Sequence, residues 1–456
     1  MMRRTAVLNI VGLTSSLIGE HTPRIKAYAE RFSSTQVRPA FPAVTCTAQS
    51  NFLTGTPPAS HGAVGNGWYN REYSEVHFWK QSNPIVKGPK IWDELKERDP
   101  EFTCAKLFWW YNMYSSVDYS ITPRPMYPAD GRKFFDVYTH PMGLREEIKK
   151  DIGEFPFHTF WGPRAGIDSS RWIAESAKWV ERKHEPTLNL VYLPHLDYNL
   201  QRLGPSHPDI GKDLKLIDEV VGDLIAFFEE RSIQVILLSE YGISDVDRPV
   251  HLNRIFREKG WITIKDELGL EQLDCGASKA FAVADHQVAH VYVNDPSIRD
   301  EVRAVLESTE GVESVLDQSG KREAGIDHER AGDFVVVSDE RSWFTYYYWM
   351  DDDVAPDFAR CVDIHRKVGY DPVELFIDPK LKVPALKVAA FLLKKKLGFR
   401  CLLDVIPLDA SLVKGSHGRI PEDKGEWPVY IAPNVSSQIV ESTDIFQAIR
   451  ESVSIG

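Results

Sequence analysis

The chain has 456 residues, more than one average domain, so it holds either a large core with insertions or two domains. Its 43% hydrophobic and 26% charged residues match an ordinary globular protein. A net charge of −12 argues against a nucleic-acid polymer as partner, because phosphate backbones favour a basic face. A small phosphorylated substrate remains open, since bound cations would reverse the local sign.

Residues 5–11 read as a buried parallel strand, a better account of this apolar run than a signal peptide, since it is short and carries Asn9. Thr22-Pro23 opens a helix with Ile25, Tyr28, Ala29 and Phe32 on its apolar stripe. After Pro42 a short helix is predicted over about 46–54, with Thr45 at its start and Gly55 as its stop. A hydroxyl at that position faces any anion drawn to the helix N-terminus, although a Thr before a helix also serves simply as a cap.

Residues 68–186 are dense in aromatics and broken by Pro and Gly; they read in part as an insertion that caps a pocket, or as the core of a small subdomain. A helix over 170–183 returns the chain to the core. Leu190-Val191-Tyr192-Leu193 and Val235-Ile236-Leu237-Leu238 read as buried strands separated by a helix from Leu214 to Phe228. Asp197 and Glu240 follow those strands, where ligands of doubly wound sheets bind. Strands are predicted at 281–284, 291–293 and 334–337, with a helix at 298–306 and a structural role for Asp285-His286-Gln287. A basic stretch after Pro384, with Leu386, Leu393, Leu397 and Lys394 to Lys396, reads as a solvated helix face, with a membrane surface or a partner as the alternative. The divisions expected are 1–75 (core), 76–185 (insertion or cap), 186–300 (core) and 301–456 (core with an insertion at about 345–410). Five cysteines without framework spacing suggest reduced thiols and a cytoplasmic location. No run reaches the roughly 20 apolar residues of a membrane span.

The order Pro42-Ala43-Val44-Thr45, a short helix ending Thr54-Gly55, then Ser60-His61-Gly62-Ala63-Val64-Gly65-Asn66, resembles the alkaline phosphatase superfamily, in its nucleotide pyrophosphatase/phosphodiesterase branch. The resemblance implies an α/β fold with a doubly wound, mostly parallel sheet flanked by helices and an inserted cap. It implies Thr45 as a phosphorus-attacking nucleophile and Asn66 as a holder of the transition-state oxygen. It also implies one or two divalent metals, zinc first and manganese or magnesium as alternatives. In the family one metal takes an Asp-x-x-x-His pair and a later His; the other takes the Asp ending the first strand, the Thr and a Ser-Asp-His element. Asp197 and His417 match the first set, but Gln201 stands at its other His. Val11 stands at the strand-one Asp, and Ser239-Glu240-Tyr241 replaces Ser-Asp-His. Valine cannot bind a metal and an amide oxygen binds zinc weakly. Three readings remain open. Asp363 and His365, with His286 and His195 behind them, supply replacement ligands; one metal sits on Asp197, Glu240 and His417; or the site is inactive and binds a phosphorylated small molecule. The activity expected is hydrolysis of a phosphate ester of nucleotide-like size, with no nucleic-acid polymer and no membrane span; the oligomeric state is open.

Overall fold

The computed structural model describes residues 2–433 and 440–454; Met1 of the opening Met-Met-Arg-Arg lies outside them. The main sheet has eight strands in the spatial order Ser33–Gln36, Val429–Ala432, Gln234–Leu238, Thr5–Ile10, Leu188–Leu193, Cys104–Leu107, Tyr119–Pro123 and Val137–His140. The five middle strands, from Gln234–Leu238 to Tyr119–Pro123, run parallel. The outer ones pair antiparallel. Every residue of Thr5–Ile10 and Leu188–Leu193 is buried, as expected for strands covered on both faces.

One group of helices packs together over the sheet: Pro23–Arg31, Ile167–His184 and Ile210–Glu229. A second comprises Thr45–Thr54, Ile91–Arg98 and Asp444–Val453. The fold is therefore the mixed α/β architecture expected. Thr22 differs in detail: its hydroxyl makes no capping bond into the helix it precedes and instead accepts from the Gly19 N–H.

The span 76–185, expected as an insertion or cap, contributes to the main sheet. Cys104–Leu107, Tyr119–Pro123 and Val137–His140 lie inside this span and are strands of the main sheet, and Ile167–His184 packs on Leu188–Leu193. These strands are short and their apolar runs are interrupted by aromatic loops, which hid the parallel pattern. A separate four-stranded antiparallel sheet forms instead from Ala280–Asp285, Val288–Val293, Phe334–Ser338 and Val312–Leu316, in that order. It has its own core around Ala282, Val291, Leu306 and Val336.

Candidate active site

The cleft assembles at the carboxyl edge of the parallel strands. Ile10 is in register with Leu193, and Asn9 with Leu238, so the segments after these three strands emerge side by side. They deliver Val11, Asp197 and Glu240 to one place. The helix Thr45–Thr54 lies across this edge, wholly buried, and ends at Gly55 with φ +66° as its composition predicts. Val44 is its N-cap and Thr45 its first helical residue, so the Thr45 side chain sits at the positive end of the helix rather than capping it.

The Thr45 hydroxyl is 3.0 Å from the Tyr241 hydroxyl, which donates to Asp197 Oδ1 at 3.2 Å. Gln201 Nε2 donates to Asp197 Oδ2 at 2.7 Å, and Tyr370 donates to Gln201 Oε1 at 2.9 Å. A continuous chain of hydrogen bonds thus runs Thr45–Tyr241–Asp197–Gln201–Tyr370. Asp197 and Gln201 are one turn apart on the helix His195–Leu203, which puts both on one face. Burial pushes the Asp197 carboxyl up to about 7, against the two hydrogen bonds that pull it down.

His417 stacks on the Tyr241 ring at 3.7 Å, and His286 packs between His417 and Tyr370. His417 Nδ1 is 2.7 Å from the Ala43 carbonyl, a contact that needs the proton on Nδ1 and leaves Nε2 a bare lone pair, 3.9 Å from Asp197 Oδ1. The Ala43 N–H donates to the Gly418 carbonyl, so the turn before Thr45 is stitched to the His417 loop. Burial holds both imidazoles well below the usual range, and therefore neutral.

Glu240 also adjoins the Thr45 hydroxyl. Its Oε1 accepts from Asn9 Nδ2 and Gln49 Nε2, both at 2.6 Å, and Gln49 Oε1 accepts from the Trp110 N–H. Burial raises the Glu240 carboxyl to about 8. Asn66 lies at the same helix end as Thr45: its Oδ1 accepts from the Cys46 N–H, and its Nδ2 and backbone N–H donate to the two oxygens of Asp285. A cavity of about 120 Å³ opens beside Asn66, lined also by Lys80, Tyr111 and Arg330.

The structure brings Thr45, Asp197 and His417 together and sets Asn66 beside them. It does not bring in Asp363, His365 or His195. Asp363 pairs with Arg366, and its N–H donates to Glu374; His365 Nδ1 contacts the Phe78 carbonyl; His195 Nε2 lies 3.1 Å from Asp213. Among the described residues no group of three or more His, Cys, Asp or Glu side chains is placed to hold a metal ion. The donor set explains why. Val11 offers nothing, the Tyr241 phenol spans the gap between Thr45 and Asp197, and Gln201 spends its amide on Asp197 and Tyr370. A paired metal centre does not fit these residues.

Three residues of the cleft carried too little weight in the sequence. Asp285 anchors Asn66, although its hairpin reads as structural. Asn9 is a polar residue flanked by apolar ones within a buried strand, and that anomaly was its signal. Tyr370 follows a Gly in a loop and gave none.

A profile of type I phosphodiesterases/nucleotide pyrophosphatases matches residues 5–371. An uncharacterized pyrophosphatase/phosphodiesterase of Schizosaccharomyces pombe is 26% identical over 249 residues, covering 52% of this chain and 44% of its own. Ectonucleotide pyrophosphatase/phosphodiesterase 1 of Saccharomyces cerevisiae is 23% identical over 270 residues, 54% of this chain and 34% of its own. The chain thus spans less than half the length of these curated relatives. Among solved structures, phosphonoacetate hydrolase from Sinorhizobium meliloti bound to phosphonoformate superposes with a TM-score of 0.60 at 14% identity, covering 99% of this chain and 96% of its own. An inactive form of murine ectonucleotide pyrophosphatase/phosphodiesterase 5 with AMP gives 0.58 at 14%, covering 99% and 95%. The profile takes in the Thr45 helix, Asn66, Asp197, Glu240 and Tyr370 within one continuous match, and the chain belongs to the type I phosphodiesterase/nucleotide pyrophosphatase family.

Proposed function

We propose that the cleft hydrolyses a phosphate ester of a small molecule, with Thr45 as the nucleophile. The observation that carries this reading is the hydrogen-bonded chain from the Thr45 hydroxyl through Tyr241 to Asp197, at the positive end of a buried helix. As Thr45 Oγ1 attacks phosphorus, its proton passes to the Tyr241 oxygen while the Tyr241 proton passes to Asp197 Oδ1. The phosphorus–oxygen bond to the leaving alcohol breaks, and that oxygen takes a proton from water. The hydroxide left by that water attacks the phosphothreonine and breaks its bond to Thr45 Oγ1, and Thr45 recovers its proton from Asp197 by the same route. The helix N-terminus, the N–H hydrogen that Asn66 does not spend on Asp285, and the cations Lys80 and Arg330 at the neighbouring cavity favour the anionic group. No step runs through a metal, because the residues present do not build the family's site. Relatives bind AMP and phosphonoformate, which supports a small phosphorylated ligand here. Five free thiols support a reducing compartment.

The loss of metal ligands favours one second reading, a protein that binds such a ligand without turning it over. A chromogenic phosphodiester assayed with Thr45→Ala decides between them. Turnover should fall by at least roughly a thousandfold while the melting curve is unchanged. Measurable turnover that Thr45→Ala leaves intact sinks the nucleophile; no turnover by the parent protein, with retained ligand binding, establishes the second reading.

A further inference from the structure

The helix Pro384–Lys396 buries none of its thirteen residues. Leu386, Ala390, Leu393 and Leu397 fall at helical spacing on one stripe, and the three leucines are 67%, 59% and 65% exposed. Phe399 and Leu402, just beyond, are 65% and 54% exposed. A solvated helix face exposes lysine heads and buries leucines; here the leucines stand in water as well. The surface continues on a second segment. Arg400 donates to the Asp130 carbonyl, and around that point Tyr127, Phe134 and Phe135 are exposed, with Arg132 and Lys133 lying over their rings. Contiguous apolar exposure of this kind marks a contact surface.

Charge identifies what covers it. Between Asp378 and Asp404 the chain carries seven lysines and arginines and no acidic residue, in a protein of net charge −12. The occupant is therefore both apolar and anionic. A second copy of the chain docked patch to patch would set Lys394, Lys395 and Lys396 against their own equivalents, which like-charge repulsion opposes. We propose that this surface seats the protein on an anionic lipid bilayer, with the leucine stripe in the headgroup–acyl boundary and the lysines on lipid phosphates. The patch adjoins the aromatic side of the cleft: Asp363, the charge next to Tyr127 and Lys133, is bonded to Glu374, which accepts from Trp161, and Trp161 packs on Tyr370. The surface stands independently of the reading of the cleft.

Co-sedimentation with phosphatidylcholine vesicles containing about a third phosphatidylglycerol tests it. The protein should pellet with these vesicles, not with pure phosphatidylcholine, and salt should release it. A Leu386→Ser/Leu393→Ser/Leu397→Ser variant should stay in the supernatant. Reversing Lys394, Lys395 and Lys396 to Glu should weaken binding on the order of a hundredfold or more. Both sets of changes lie on exposed residues, so the melting curve and hydrolysis of a soluble ester should not move, which separates this test from that of the cleft. Failure to pellet with anionic vesicles, or equal pelleting of the lysine variant, overturns the proposal. So does a dimer in solution that the leucine variant dissolves, which would assign the patch to a second copy.

Discussion

The Tyr241 hydroxyl joins Thr45 to Asp197. Tyr241→Phe keeps the ring stacked on His417 and removes only that hydroxyl. The expected result is a loss of about 1 kcal/mol in stability and a fall in kcat of at least roughly tenfold, read by a melting curve and by steady-state kinetics. Glu240 gives a separate signature. Burial raises its folded-state pKa to about 8, above the ordinary carboxylate value of 4.5 that the unfolded chain retains. Between those two values the folded state holds the extra proton, so this residue makes stability fall as pH rises from about 4.5 to about 8. Glu240→Gln keeps an acceptor for Asn9 and Gln49 and should flatten that slope, by as much as a few kcal/mol across the window. Denaturant titrations at a series of pH values measure it; an unchanged slope would mean that Glu240 is ionised in the fold.

The helix Thr45–Thr54 was legible because punctuation residues at both ends bound it, and the long helix Ile210–Glu229 because its apolar stripe repeats over many turns. Buried strands such as Leu188–Leu193 were legible as continuous apolar runs. The strands at 104–107, 119–123 and 137–140 were not, because four or five residues between aromatic loops carry too little pattern. In the site, Thr45, Asn66, Asp197 and His417 could be placed from their motifs. That Glu240 turns toward Asn9 and Gln49 could not, since it depends on how segments far apart in sequence meet. The same helix shows how tightly the site is tied to its surroundings. A Cβ on Gly55 would stand 3.0 Å from the Phe446 ring, at a backbone angle unfavourable for side chains. Gly55→Ala should therefore cost about 1–2 kcal/mol, visible as a lowered melting temperature. An unshifted melt would show that Phe446 yields freely.

At the scale of the molecule, the buried apolar cores carry the stability of this fold. Chelation by EDTA should leave the melting temperature within about a degree, because no described cluster of ligands couples metal binding to folding. A downward shift of several degrees would reveal a structural ion. Among the described residues no helix is long and apolar enough to cross a membrane. The sheet order carries a consequence for biosynthesis. Val429–Ala432 is inserted between Ser33–Gln36 and Gln234–Leu238, and the helix Asp444–Val453 packs on Thr45–Thr54. Ser33–Gln36 and Thr45–Thr54 therefore wait on the ribosome for partners made some four hundred residues later, and a nascent chain halted before residue 429 should leave the Thr45 segment open to protease.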